Sequence, residues 1–404
     1  MHSGSPEGIA KKGVFRRAWN HLTDFSESPA LNAMRRMKAE RLVKEGRYDK
    51  AVGLGKNAVP ALEKVLFGKD PEKRFLALDA LLKIGNPGIP ALGKALHDDV
   101  IAIRARAATS LYDNSNYLRL ESVGDRVLCL LLKEEPEAAA EYGAEAIPAL
   151  VDALDDKLGS VTSQALKAMV LISQKGVECG WEGIGEKLKE KVMKKGVVLQ
   201  ADFIVALAKI RGLAAAPFLV GLLERNDNLA QDAAHQLMDI VRKGPEEDWR
   251  WAMGAFARAM MCGGDDALSI YMRSNISGAV FEIVKRHKDY DFTEVVPALV
   301  RVLGDNHPNF GNWAGDALEE IGLPVVPALL EGVKHGEGLI GMRSAYALGR
   351  LGKRHPQEVG NAIIRLINGE FGDRLAEINE RNDEIATGLN EALLECGKAL
   401  ENGA

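Results

Sequence analysis

Apolar residues along this chain fall in short runs at helical spacing, separated by polar breaks. Pro60-Ala61-Leu62-Glu63-Lys64-Val65-Leu66 and Pro297-Ala298-Leu299-Val300-Arg301-Val302-Leu303 are two such runs. Breaks such as Gly68-Lys69-Asp70-Pro71 and Gly304-Asp305-Asn306 follow them. A second run comes next. In Arg74 to Ile84 the apolar residues stand at i, i+3, i+4 and i+7, the spacing of an amphipathic helix. The pattern therefore predicts pairs of short helices, a first and a second, joined by a polar turn. Proline suits the first turn of a helix, where its missing N–H is not needed. Gly85, Gly322 and Gly352 are expected to close second helices in the left-handed conformation.

The pairs repeat. An apolar-Pro-Ala-Leu motif occurs at Val59–Leu62, Ile89–Leu92, Ile147–Leu150, Val296–Leu299 and Val326–Leu329, with a variant at Ala216–Leu219. An Ala-Leu-x-x-apolar-Gly motif ends the second run at Ala80, Ala317 and Ala347. Each of these alanines lies 20 residues after its proline (60 to 80, 297 to 317, 327 to 347). Looser copies stand at Ala168-Met169, Leu237-Met238 and Ala392-Leu393. Degenerate pairs have first helices near Val127–Leu132, Ile184–Val192, Ala252–Met261 and Ala362–Ile367. Their second helices are expected near Ala138–Tyr142, Ala201–Ile210, Ser277–Val284 and Ala386–Cys396. One pair cannot bury its apolar side alone; a stack of neighbours can.

The pattern P-A-L…D…R-x-x-A-x-x-A-L-x-x-I-G resembles the short HEAT-like repeats first recognised in phycobilisome lyases, over roughly residues 50–400. Arg74, Arg104 and Arg343 match the basic residue that opens the second helix in that family. The resemblance implies an all-α, right-handed superhelical solenoid of about ten helix pairs whose second helices line a concave face. It also implies an adaptor or scaffold, since most similar proteins bind partners and few are enzymes. The expected organisation is a basic capping extension at 1–50, the repeat solenoid at 51–368 and an acidic cap at 369–404.

Two stretches lengthen the repeat, 174–199 and 243–275. The second holds Trp249 and Trp251 with Met253, Met260 and Met261 nearby. Trp and Met are enriched at interfaces, so the tryptophans either form a partner-binding patch or fill a widened pair. Residues 1–50 carry 11 Lys/Arg against 6 Asp/Glu, and residues 369–404 carry 3 against 9. Ser28-Pro29-Ala30-Leu31 is expected to begin a capping helix. Phe371, Leu375, Ile378, Asn382, Ile385, Leu389, Ala392 and Cys396 follow a 4-3 spacing, which reads as a short coiled coil or as a last repeat; the repeat is preferred because Gly372 and Gly388 interrupt the run.

The chain has 404 residues, a net charge of −5 and four widely spaced cysteines with no CxxC. No polyanion-binding signature emerges overall, and a reduced cytoplasmic compartment is expected. No secretory leader is legible, and no uncharged stretch reaches the ~20 residues of a bilayer span. HExxH, GxxxxGK[ST] and GxSxG are absent. The eight histidines are scattered, and His97 and His335 read as helix-end caps. HEAT-like di-iron hydroxylases carry His-Glu pairs; this sequence has no His-Glu dipeptide. No cofactor or metal is expected. A HEAT-like DNA glycosylase would need a basic groove, yet the expected concave positions are mixed in sign: Asp79/Lys83, Lys167, Lys209, Glu282, Asp316/Glu320 and Tyr346/Arg350. The lysines at 187, 189, 191, 194 and 195 read as a solvated helix face. A non-catalytic protein-binding scaffold is the expectation, with nucleic-acid binding or a chromophore-lyase-like role as alternatives. Asp316, Glu320, Tyr346 and Arg350 are the candidate contact residues, with Trp249 and Trp251 as a second patch.

Overall fold

The computed structural model describes residues 28–194, 199–225, 227–305, 313–335, 338–368 and 383–403. Among these residues there is no strand, and the chain is an all-α solenoid of helix pairs. Two compact bodies are present, Met1–Cys179 and Gly180–Ala404. Their boundary falls inside the stretch 174–199, where the repeat spacing lengthens.

The same local chemistry recurs at each junction. A second helix ends at a glycine with positive φ, at Gly85 (76°), Gly212 (51°) and Gly322 (85°). A 3-10 turn follows, such as Asn86–Gly88, Gly212–Ala215 or Leu323–Val325. The proline helix then begins, as in Ile89–Ala95, Ala216–Leu222 and Val326–His335, with proline in its first turn. A residue without Cβ adopts positive φ without strain, which fits the two expected closures at Gly85 and Gly322. Gly352 differs: it remains inside the helix Leu339–Gly352 and is buried. Its role is steric, because a Cβ there would lie 2.4 Å from Cys396 Sγ. Ser28, Asp70, Ser122, Asp227 and Asp266 cap helix N-termini through side-chain oxygens.

Within each body a helix packs on its own partner and on its counterpart in the next pair. In the N-terminal body Val59–Leu66 meets Pro71–Ile84, and Pro71–Ile84 meets Ile101–Asp113. In the C-terminal body the second helices Gln200–Arg211, Asn228–Lys243, Ala267–Arg286 and Trp313–Ile321 pack in sequence. The motif pairs lie inside: Ala80, Leu81, Ala317, Leu318, Ala347 and Leu348 are all buried. The degenerate helices are found where expected, as Val123–Leu132, Trp181–Met193, Met253–Met261 and Pro356–Ile367, followed by Pro136–Ala140, Gln200–Arg211, Ala267–Arg286 and Asp383–Gly403. One copy is out of step. Gln236 and Leu237, not Leu237 and Met238, are the buried pair. The preferred repeat reading holds for the last helix, whose Ile385, Leu389, Ala392 and Cys396 are buried as it packs on Leu339–Gly352. Phe371, Leu375, Ile378 and Asn382 lie outside the described residues.

Buried arginines tie the pairs together. Arg74 Nε donates to Leu66 O at the end of its own first helix (2.8 Å), and its Nη2 pairs with Asp98 in the turn of the next pair. Arg104 holds Asp156 through two bonds (3.0 and 2.6 Å). Arg273, 0% exposed, donates to Cys262 O (3.2 Å) and Gly264 O (2.9 Å) and grips both oxygens of Asp305 (2.8 and 2.6 Å). Arg74 stands six residues before the motif Ala80, Arg104 and Arg273 stand six before Ser110-Leu111 and Ala279-Val280 of their own second helices, and at Thr162, six before the looser copy at Ala168, the hydroxyl donates to Ala153 O at 3.0 Å. Arg343, four residues before Ala347, is not equivalent: it donates to the backbone oxygens of Leu303 (2.8 Å) and Asp305 (2.7 Å).

The packing at Gly352 yields a test. Gly352→Ala should lower stability by about 1–3 kcal/mol through overpacking, and adding Cys396→Ala should recover most of that loss. Thermal denaturation of the single and double variants checks this; an additive loss would contradict the assigned clash.

Candidate interaction surface on the second helices

Position within the second helix decides which side chains reach solvent. The buried face is fixed by the motif Ala-Leu pair, so the positions one before and three after it point away from the core. In the N-terminal body these positions and their neighbours join adjacent helices by ion pairs. Lys83 Nζ lies 2.8 Å from Asp49 Oδ1, Arg106 Nη2 3.1 Å from Asp79 Oδ1 and Lys175 Nζ 2.7 Å from Glu141 Oε1. Gly46, Tyr48, Asp49, Leu76, Asp79 and Lys83 are among the residues lining an open cavity of about 390 Å³ at the first of these rungs.

The same rule operates in the C-terminal body and gathers four of the expected contact residues. Arg350 Nη1 lies 2.8 Å from Asp316 Oδ1, and Arg350 Nη2 also pairs with Glu319. Arg354 reaches Glu319 (3.3 Å) and Glu320 (3.6 Å), while Lys288 pairs with Glu320. Lys353 Nζ lies 3.3 Å from Glu395 Oε2. Tyr346, one turn before Arg350, is 57% exposed. Asp316, Glu320, Tyr346 and Arg350 thus lie on two packed helices, Trp313–Ile321 and Leu339–Gly352, with carboxylates and guanidinium neutralising one another. Nearer Gly180, Tyr271 Oη meets His235 Nδ1 at 3.1 Å across two stacked rings. Lys167 and Lys209 are exposed, whereas Glu282 has Lys285 at 3.9 Å.

The second patch divides. Trp249 is 2% exposed and belongs to the core, so its ring offers no free surface to a partner. Trp251 stacks on it at 5.9 Å and is 50% exposed. Arg250 between them is clamped by Asp248 (Nε–Oδ1 3.0 Å, Nη2–Oδ2 2.8 Å) and lies 5.0 Å over the Tyr290 ring. Tyr290 Oη donates to Asp248 Oδ1 at 3.0 Å. The Arg250 hydrogen bonds hold the Asp248 carboxyl well below the usual carboxylate range.

Other expectations need correction. His97 and His335 do not cap helices; they face Asp125 (2.7 Å) and Glu331 (3.1 Å). Lys191 is buried rather than solvated, and Lys189 pairs with Glu186 at 2.8 Å; Lys195 lies outside the described residues. Arg273 and Arg301 were not singled out by motif. Arg301 donates to Met260 O and Gly263 O at the end of the first helix preceding it (3.1 and 3.2 Å). The six-residue offset that marks Arg74 marks Arg273 too. Cys129 is buried, which pushes its thiol up to about 12 and leaves it unreactive. Among the described residues no group of three or more His, Cys, Asp or Glu side chains is placed to hold a metal ion. One described run, Gln200–Arg225, is long and apolar enough to cross a membrane by length and composition, but Gly212 breaks it into two helices and 50% of the window is buried.

No family model and no curated protein matches the chain. Among solved structures it is similar to an engineered protein (18% identity, 89% of this chain and 98% of that one, TM-score 0.41). A Kap121p mutant is similar at 12% identity (98% of this chain, 48% of that one, TM-score 0.40), so the chain spans about half the length of Kap121p. A chain from a structure of the interaction between cadherin and beta-catenin is similar at 14% identity (90% and 96%, TM-score 0.43). At these values the likenesses do not bear on what the chain binds.

The rung chemistry predicts a titration. The Lys288 hydrogen bond lowers the Glu320 pKa from its ordinary value. A lowered pKa in the folded state stabilises the fold above the ordinary Glu range, and that contribution fades as pH falls through Glu320's own value. Lys288→Met should return Glu320 toward the ordinary range in a carboxyl NMR titration, with a stability cost at neutral pH of only about 0–1 kcal/mol because the pair is partly exposed. An unmoved Glu320 titration would contradict the assignment.

Proposed function

We propose that this chain is a non-catalytic protein-binding scaffold of the short HEAT-like repeat type, working in the cytoplasm, and that it engages its partner through the second-helix surface at Asp316, Glu320, Tyr346 and Arg350. The observation that carries the reading is the exposed Tyr346 ring beside a paired rung of acids and bases. Tyr and Arg are among the side chains that most often dominate protein interfaces. A surface whose charges are already paired presents little net field, so it selects a partner by shape and hydrogen bonding rather than by bulk charge. The same pairing speaks against a nucleic-acid groove, which needs unneutralised bases along its length. Free, widely spaced cysteines support the cytoplasmic setting.

Affinity purification from cells that express the protein tests this. The variant Asp316→Ala/Glu320→Ala/Tyr346→Ala/Arg350→Ala should lose the captured partner at least about tenfold, the scale of one hot-spot residue, while Trp251→Ala keeps it. Retention by the first and loss by the second would move the site to Trp251. Salt-sensitive binding of generic DNA or RNA by the wild type would replace the scaffold reading altogether.

A further inference from the structure

The first described helix, Pro29–Lys44, carries two apolar stripes on opposite sides. Ala39, Leu42 and Val43 are buried against the rest of the N-terminal body. About half a turn around the helix axis stand Ala30, Ala33, Met34 and Met37, all exposed. Met34 at 63% and Met37 at 62% exceed every other large apolar side chain among the described residues in exposure. Among the described residues, the methionine stripe lies outside the packing that buries Ala39, Leu42 and Val43. Exposed Arg36, Lys38, Glu40 and Arg41 border it, three bases against one acid, and among the described residues Arg41 pairs with Glu45 at 3.3 Å.

The last described helix, Asp383–Gly403, presents the complementary chemistry. Its Ile385, Leu389, Ala392 and Cys396 face inward, while Leu394 is 57% exposed on a stripe with the exposed Glu391 and Glu401 and with Lys398, whose charge is paired with Glu395 at 3.0 Å. The segments around the two helices are opposite in charge: net +5 over residues 1–50 and net −6 over residues 369–404.

We propose that the Met34/Met37 stripe of one copy docks on the Leu394 face of the C-terminal helix of a second copy, so that copies join head to tail. Methionine adapts its shape to an apolar neighbour, and Arg36, Lys38 and Arg41 of one copy meet Glu391 and Glu401 of the other. Two different surfaces make this contact. It therefore builds open chains or closed rings, the smallest of which is a reciprocal pair. One helix face on each side is a small interface, so association is weak and salt-sensitive.

Sedimentation velocity on the full chain tests the proposal with two surface variants, Met34→Glu/Met37→Glu and Leu394→Arg. All three substituted side chains are exposed, and matching thermal melts confirm that the variants fold. The wild type should self-associate as concentration rises, into a reciprocal pair or larger species, at least about tenfold more weakly in 0.5 M salt than in 0.05 M. Each variant alone should be monomeric. Their mixture retains one intact head and one intact tail, and should give a one-to-one dimer and nothing larger. A monomeric wild type at low salt overturns the proposal, as does self-association by either variant alone. Binding of the monomeric wild type, but not of Met34→Glu/Met37→Glu, to phosphatidylserine vesicles would reassign the stripe to a lipid surface.

Discussion

The first helices of this solenoid are short; those at Val59–Leu66, Ile89–Ala95, Ile147–Ala153, Ala216–Leu222 and Val296–Val302 span only 7 or 8 residues. In such a helix about half of the carbonyls have no partner within the helix. These carbonyl ends pack inside a stack where water cannot serve every one of them, so side chains must. Arg74 and Arg273 do so with part of the guanidinium and spend the rest on an aspartate in the next helix pair. Asp98, and likewise Asp156 opposite Arg104, also holds its own turn, accepting from Val100 N and from Leu158 N respectively, each at 2.8 Å. At Arg74 one buried contact thus closes a helix end, fixes the following turn and sets the register between neighbouring pairs. A mostly Ala and Leu core could slide by a turn at little cost, whereas a bidentate Arg–Asp pair fits one register only.

Because register is fixed inside, the outer positions of the second helices fall into line. Residues about 34 apart in sequence become neighbours, as Asp49 with Lys83, Glu141 with Lys175 and Asp316 with Arg350. Their pairing contributes little to stability at the surface. It does hold long side chains in place and cancels their charge, leaving Tyr346 and Trp251 as exposed aromatic groups of the C-terminal body. A surface of that kind suits recognition of a folded or extended protein segment better than capture of a polyanion.

Much of this organisation was legible in the sequence, because the 20-residue interval from proline to alanine follows directly from helix geometry and a short turn. What was not legible has physical causes. Arg273 was hidden because its pair lacks the proline of the first helix and ends in Ala279-Val280 rather than Ala-Leu, so no motif pointed to it; the offset from residue 279 would have. Trp249 and Trp251 lie two residues apart at the entrance to a 3-10 turn, where no periodicity says which ring turns inward. The 3-10 geometry puts Trp249 in the core and Trp251 outside. Gly352 read as a helix terminator, but a third helix, Asp383–Gly403, comes so close that the absent side chain is a packing requirement. His97 and His335 stand at helix ends, yet their partners, Asp125 28 residues on and Glu331 four residues back, were set by tertiary and helical neighbours that a capping rule ignores.

The central claim is that buried guanidinium–carboxylate pairs couple one helix pair to the next. Native-state hydrogen exchange on Arg273→Met, Asp305→Leu and the double variant measures it most directly. Each single variant should leave a buried partner unpaired and lower the protection of both Met253–Met261 and Val296–Val302 by about 3–5 kcal/mol, with the double variant well short of the sum. Protection changes below about 1 kcal/mol, or confined to one of the two helices, would contradict the account.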